Sequence, residues 1–170
     1  MFVGAEAPAV TDREENGDND FIYRTSFGVD TAAAKFIDYI VDQGVTSVDF
    51  IYKNDEFGAG GREAYGAAFD EVGIEIQLDI QVQPDQTDLS AEVAQLAGGG
   101  ADAIFAFMTE IETAAFLDEV QAQALEKPMY GGDVLSAAST IALAQPGAAD
   151  GTITHAGLNA SADVFADWTE

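Results

Sequence analysis

Between residues 30 and 156 the chain alternates short β-prone runs with stretches of helical period. No other feature limits its fold so tightly. The β-prone runs are 48–52, 74–82, 103–107, 128–130 and 151–155. In the third, Ala103, Ile104, Phe105, Ala106 and Phe107 are apolar without a break. Such a run suits a strand buried on both faces of a parallel sheet. In the second, Ile74, Ile76, Leu78, Ile80 and Val82 alternate with Glu75, Gln77, Asp79 and Gln81. Strict alternation predicts a strand with one wet face, near a sheet edge.

The helical segments carry their own punctuation. Asp30 is placed to cap a helix with Ala33, Phe36, Ile37, Ile40 and Val41 on one face, stopped by Gly44. Residues 53–58 read as a turn, followed by a helix with Tyr65, Ala68, Phe69 and Val72 inward and Gly73 at its end. Thr87 or Asp88 caps a short helix bearing Leu89, Val93 and Leu96, closed by glycines 98–100. Residues 110–124 form another, with Thr113, Phe116, Leu117, Val120 and Ala124 inward. A small helix spans about 135–143, before Pro146. The expected class is therefore α/β, a three-layer parallel sheet with helices on both faces. Strand order is left open. In such sheets ligands bind at the carboxyl ends of strands, so loops 53–58, 108–112 and 131–136 are the ones that matter.

Composition narrows the function. The 170 residues, 17.8 kDa, fit one domain or one lobe of a larger protein. Asp and Glu number 31 against 6 Lys and Arg, a formal charge of −25. That argues against nucleic acid or an anionic membrane as partner, because phosphate contacts need Lys and Arg. The acids are spread along the chain, and molar salt shortens the Debye length to about 3 Å. The excess thus reads as a surface adapted to high salt, as in halophiles. The one dense stretch, Asp12 to Asp20, lacks the ligand order of an EF-hand and reads as a solvated loop. Residues 1–20 show no sustained period and are expected to form a loop or arm. There is no cysteine, so disulfides and thiolate chemistry are excluded. No apolar run approaches the ~20 residues of a membrane span, and no basic segment followed by an apolar one opens the chain as a signal peptide would.

Few residues carry a chemical signature. Gly58, Gly60 and Gly61 follow a strand, but the spacing is G-x-G-G, and Asp55 and Glu56 would repel a phosphate. The stretch is better read as placing Phe57 at a pocket mouth. Gly131-Gly132-Asp133 puts a carboxylate directly after a strand, where it either meets a cation or caps the helix that follows. Thr109 and Glu110 end the most buried strand, where spacing favours a capping role. His155 is the only histidine, with no second one to share a metal, and a structural or exposed histidine is expected rather than a catalytic base. Trp168 is expected to pack. No nucleophile elbow, zinc-binding helix or spaced carboxylate pair is present. No metal site or cofactor is expected.

Several stretches taken together resemble a known family. They are residues 21–25 (FIYRT), 51–60 (IYKNDEFGAG), 83–90 (QPDQTDLS), 100–105 (GADAIF) and 129–133 (MYGGD). In order and spacing, over roughly residues 20–156, they are similar to the branched-chain amino acid type of periplasmic binding protein, the type I solute-binding proteins of ABC transporters. The resemblance implies two flavodoxin-like α/β lobes joined by crossing strands, with the ligand closing the cleft. It implies that 25–156 are the second lobe, 1–24 a remnant of the first, and 157–170 the start of the return to it, so that the chain is a fragment. The absence of a signal peptide is then expected. Phe57 matches the aromatic position lining the cleft, Thr109 a cleft position often aromatic in leucine-type members, and Asp133 the acidic position pairing with the ligand's α-ammonium. Thr109 departs from the leucine-type pattern. The implied partners are a small-molecule ligand, an amino acid or similar, and ABC permease subunits. The implied location is outside the cytoplasmic membrane, often with a lipid anchor, and no enzymatic activity is implied. Two other readings stand beside it: a ligand-sensing domain of a receptor or regulator with the same fold, and a small α/β hydrolase using Asp133 and His155. The second requires those side chains to come within hydrogen-bond reach.

Overall fold

The computed structural model describes residues 29–155, with side chains from residue 33 onward. The expectations for 1–24, for Asp12 to Asp20, for 157–170 and for Trp168 lie outside the described residues. The chain runs α1 (Val29–Asp42), β1 (Ser47–Lys53), α2 (Glu56–Val72), β2 (Glu75–Val82), α3 (Ser90–Gly98), β3 (Ala103–Phe107), α4 (Glu110–Ala122), β4 (Met129–Gly131), α5 (Ala138–Leu143) and β5 (Thr152–Thr154). A 3-10 turn, Asp133–Ser136, follows β4. The five strands form one parallel sheet in the order β2-β1-β3-β4-β5. This is the flavodoxin-like doubly wound order.

Two apolar layers hold the helices to the sheet. On one face, Phe36, Ile37 and Ile40 of α1 and Tyr65 and Phe69 of α2 pack on Phe50, Tyr52, Phe105, Phe107 and Tyr130. On the other, Leu89, Val93 and Leu96 around α3 and Phe116, Leu117 and Val120 of α4 pack on Ile51, Ile80, Val82, Ile104 and Ala106. Every residue of β3 is buried, as its unbroken apolar run predicts. Its odd-numbered residues serve the first layer and its even-numbered ones the second.

β2 is an edge strand, as expected, but its apolar residues do not share one face. Ile74 and Ile76 join the α1/α2 layer, whereas Leu78, Ile80 and Val82 join the α3/α4 layer. The register shifts between Val48 and Asp49, which pair with Ile76 and Leu78, so Gln77 has no partner. One extra residue reverses the side-chain alternation.

Other boundaries also move. Asp30 lies inside α1 rather than ahead of it. Val41 is exposed at the margin of the α1 face, and Val72, 43% exposed, ends α2 where the chain turns back through Gly73 at φ 77°. Ala124 falls outside α4, with φ 50°. The expected 135–143 helix is broken at Ala137, which separates the 3-10 turn from α5.

Candidate functional site

β1 and β3 are neighbours, yet the chain leaves them toward opposite faces of the sheet: α2 lies on one and α4 on the other. Their carboxyl ends therefore flank the crevice that a doubly wound sheet offers to ligands. The turn expected over 53–58 is half helix. Asp55 caps α2, its carboxylate accepting from the Gly58 amide at 2.9 Å, so Phe57 rides on the first helical turn. The residue is 39% exposed, and its ring stacks on Phe107, with centroids 4.6 Å apart and planes 22° apart. Gly61, one turn on, lets that stack form. A Cβ there would fall inside the Phe107 ring. Gly58 likewise allows close approach to the Lys53 carbonyl, whereas Gly60 faces open space, and all three glycines lie within α2 rather than in a phosphate-cradling loop.

Thr109 occupies the cap position of α4, but its hydroxyl makes no capping bond. It accepts from Lys53 Nζ at 2.8 Å and donates to Glu112 Oε2 at 2.6 Å. Lys53 Nζ also lies 3.1 Å from Glu112 Oε1 and 3.5 Å from Asp55. Glu112 is fully buried, and its Oε1 accepts from the Asp85 amide at 2.6 Å. One carboxylate thereby joins the loops after β1, β2 and β3. Burial works to raise the Glu112 pKa, but hydrogen bonds from Thr109, Asp85 and Lys53 outweigh it and hold the group below the usual glutamate value. Burial likewise works to lower Lys53. The hydrogen bond and charge of Glu112, with Asp55 behind it, hold it above the usual lysine value. Both partners are ionised at neutral pH.

Asp133 opens the 3-10 turn beyond β4 and is half-buried. The capping position belongs to Gly132, whose carbonyl accepts from the Thr154 hydroxyl at 2.8 Å and ties β5 to the turn. The Asp133 carboxylate makes no hydrogen bond or ion pair among the described residues. Helix capping, one of its two expected roles, is thus not what it does. His155 sits just past β5, with Nε2 sharing a 2.7 Å hydrogen bond with the Tyr65 hydroxyl and its ring edge-on to Phe36. Burial lowers its pKa, and the charge of Asp133 partly offsets this. Asp133 therefore reaches His155 through its field, while Tyr65 holds the ring nitrogen. The hydrogen-bonded acid–base pair that a hydrolase would need is not formed.

Phe57, Thr109 and Asp133 thus follow the carboxyl ends of β1, β3 and β4, three strands in a row. Strands lie about 4.8 Å apart, so the three strand ends span about 10 Å. Phe57 and Asp133 present open groups, whereas the Thr109 hydroxyl is held by its two neighbours. Lys53 and Glu112 were not singled out from the sequence. The spacing of Thr109 and Glu112, T-x-x-E, was the available signal, and it reads as a capping box. Among the described residues no cluster of three His, Asp or Glu could hold a metal.

A family model described as periplasmic binding protein matches residues 2–166. Among curated protein sequences none matches the chain. Solved structures do match it. A branched-chain amino acid ABC transporter protein from Thermus thermophilus with bound valine superposes with TM-score 0.78 at 19% identity, over 95% of this chain and 42% of its own. A leucine-binding protein from Thermotoga maritima gives 0.75 at 18%, over 94% and 47%. An ABC transporter solute-binding protein from R. palustris in complex with benzoate gives 0.70 at 20%, over 78% and 36%. At these identities the likeness is one of fold. The chain spans less than half the length of each of these structures.

Proposed function

The chain belongs to the periplasmic binding protein family, and from that premise we propose that residues 25–156 are one lobe of a two-lobed solute-binding protein that takes an amino acid in the interlobe cleft. The observation that carries the reading is the pairing of an open aromatic face with a carboxylate that has no hydrogen-bond or ion-pair partner among the described residues. Phe57 and Asp133 follow the carboxyl ends of β1 and β4, which β3 separates in the sheet, at the edge where the fold admits ligands. A free carboxylate suits a primary ammonium through a charge-assisted hydrogen bond, and the ring suits an aliphatic side chain. The solved structures with bound valine and with a leucine-binding role share the fold and support the choice of ligand class.

On this reading the protein is a binding component and not an enzyme. Its partners are an ABC permease and the solute, and it works outside the cytoplasmic membrane. Closure of the two lobes is driven by the ligand's higher affinity for the closed form. No helix among the described residues is long and apolar enough to cross a membrane.

The test has two parts. Calorimetry on the present chain with L-leucine or L-valine is expected to show no saturable binding below millimolar, about −4 kcal/mol, since the opposite cleft wall is not supplied. In a chain carrying both lobes, Asp133→Ala is expected to weaken binding about tenfold, about 1.4 kcal/mol. Unchanged affinity would remove Asp133 from the site.

A further inference from the structure

Lys53 brings a positive charge to the carboxyl ends of the central strands, beside the ligand crevice. A lone lysine there would invite a ligand carboxylate. Here its ammonium is enclosed by Thr109 Oγ1 at 2.8 Å, Glu112 Oε1 at 3.1 Å and Asp55 Oδ2 at 3.5 Å. Glu112 is equally engaged, since its two oxygens take Lys53, the Asp85 amide and the Thr109 hydroxyl. The ammonium donates to Thr109 and lies against two carboxylates, so an incoming anion would have to displace them.

The charges sharpen the point. Lys53, Glu112 and Asp55 together sum to −1, and Asp133, two strands away, adds another negative charge with no hydrogen-bond or ion-pair partner among the described residues. The charges named at this edge therefore repel a carboxylate.

We infer that Glu112 sets which end of a solute this lobe accepts: by closing the ion pair with Lys53 it makes Asp133 the open charge, so the lobe takes a primary ammonium and refuses a carboxylate. The inference rests on the preceding reading that Asp133 faces the ligand. Glu112 is a positioning residue here, acting through Lys53. Glu112→Gln keeps the size and the hydrogen-bonding reach but removes one negative charge from the ammonium. In water, a unit charge at 4 Å is worth about 1 kcal/mol, about fivefold in affinity.

The experiment is an amide NMR titration of the full 170-residue chain, in the lowest salt that keeps its spectrum native-like. The probes are n-butylamine and sodium benzoate at millimolar concentration. In the unmodified chain, butylamine is expected to shift the amides of Phe57, Gly132 and Asp133, and benzoate to leave them in place. In Glu112→Gln, benzoate is expected to shift Lys53, Phe57 and Thr109, with affinity raised about fivefold. Adding Lys53→Met should abolish that gain. If Glu112→Gln does not give a native-like spectrum, Asp55→Asn decides the matter. It leaves the buried network intact, keeps a good capping residue, and should raise benzoate affinity about twofold. A folded variant that gains no benzoate response, while butylamine still shifts Asp133, overturns the inference and leaves the proposed function standing. Equal response of the unmodified chain to both probes also overturns it. If butylamine leaves Phe57 and Asp133 unmoved, the proposed function fails and the inference with it.

Discussion

Lys127→Met should be among the most damaging single substitutions in this lobe, although the residue lies in the turn after α4. Its ammonium donates to Asp49 Oδ2 at 3.1 Å, Leu96 O at 3.0 Å and Gly99 O at 3.2 Å. Asp49 lies in β1 with no exposed surface, and its other oxygen has no partner. Removing the ammonium strands a buried carboxylate and takes a donor from two carbonyls at the end of α3, of which Leu96 O keeps the Gly99 amide. At 3.1 Å and an effective dielectric near 20, the pair's Coulomb energy is about 5 kcal/mol. Breaking a buried pair from one side typically costs about 3–5 kcal/mol, a large share of a domain's stability of roughly 5–15 kcal/mol. Urea unfolding followed by far-UV circular dichroism reads the loss. With a slope of about 2 kcal/mol per molar, the midpoint should fall by about 2 M. Asp49→Asn with Lys127→Met should recover much of the loss, because no buried charge is left alone. A loss below about 1 kcal/mol, the range of exposed pairs, would show that the pair is solvated and refute the reasoning.

Other outcomes follow from the same structure. Burial holds the His155 pKa below its ordinary value, so its contribution is complete above about pH 6.5 and is lost as pH falls through the lowered value. His155→Gln should flatten that part of the stability profile, and an unchanged slope would exclude His155 as its source. Glu112 is also held low, so its contribution is complete above about pH 4.3 and declines below that. The acid arm of unfolding should shrink in Glu112→Gln. Gly61→Ala forces its methyl into the Phe107 ring and should cost about 1–3 kcal/mol despite the better helix former. Near-UV circular dichroism should report a disturbed Phe57–Phe107 stack, and a stabilised variant would contradict the packing. With a net charge of −25, the chain should lose far-UV structure on dialysis from molar salt to dilute buffer. A full cooperative melt in dilute buffer would mean that the charge has no such role.

The elements and the placing of Phe57, Thr109 and Asp133 just past strand ends were legible because they depend on neighbours within a few residues. The apolar run of β3 requires burial on both faces, and the period of α1 names Phe36, Ile37 and Ile40 as its buried stripe. The alternation in β2 announces an edge but not the unpaired Gln77 that turns half of its side chains over, because a bulge is defined by the partner strand. Strand order itself depends on which crossovers pack, so the adjacency of β1, β3 and β4 was out of reach.

The charged interior was decided by tertiary structure alone. Glu112, read locally, is a polar residue in the first turn of a helix, and Asp49 is a polar interruption in a strand. Their burial is made possible by partners far along the chain. Asp85 lies 27 residues from Glu112, and Lys127 lies 78 from Asp49. A charge can leave water only where another charge and hydrogen-bond donors meet it. The sequence by itself therefore determined the α/β alternation, the family and the strand ends that carry the proposed site. The fold decided which carboxylate is locked to Lys53 and which, at Asp133, remains open, because only three-dimensional neighbours set the free energy of burying an ion.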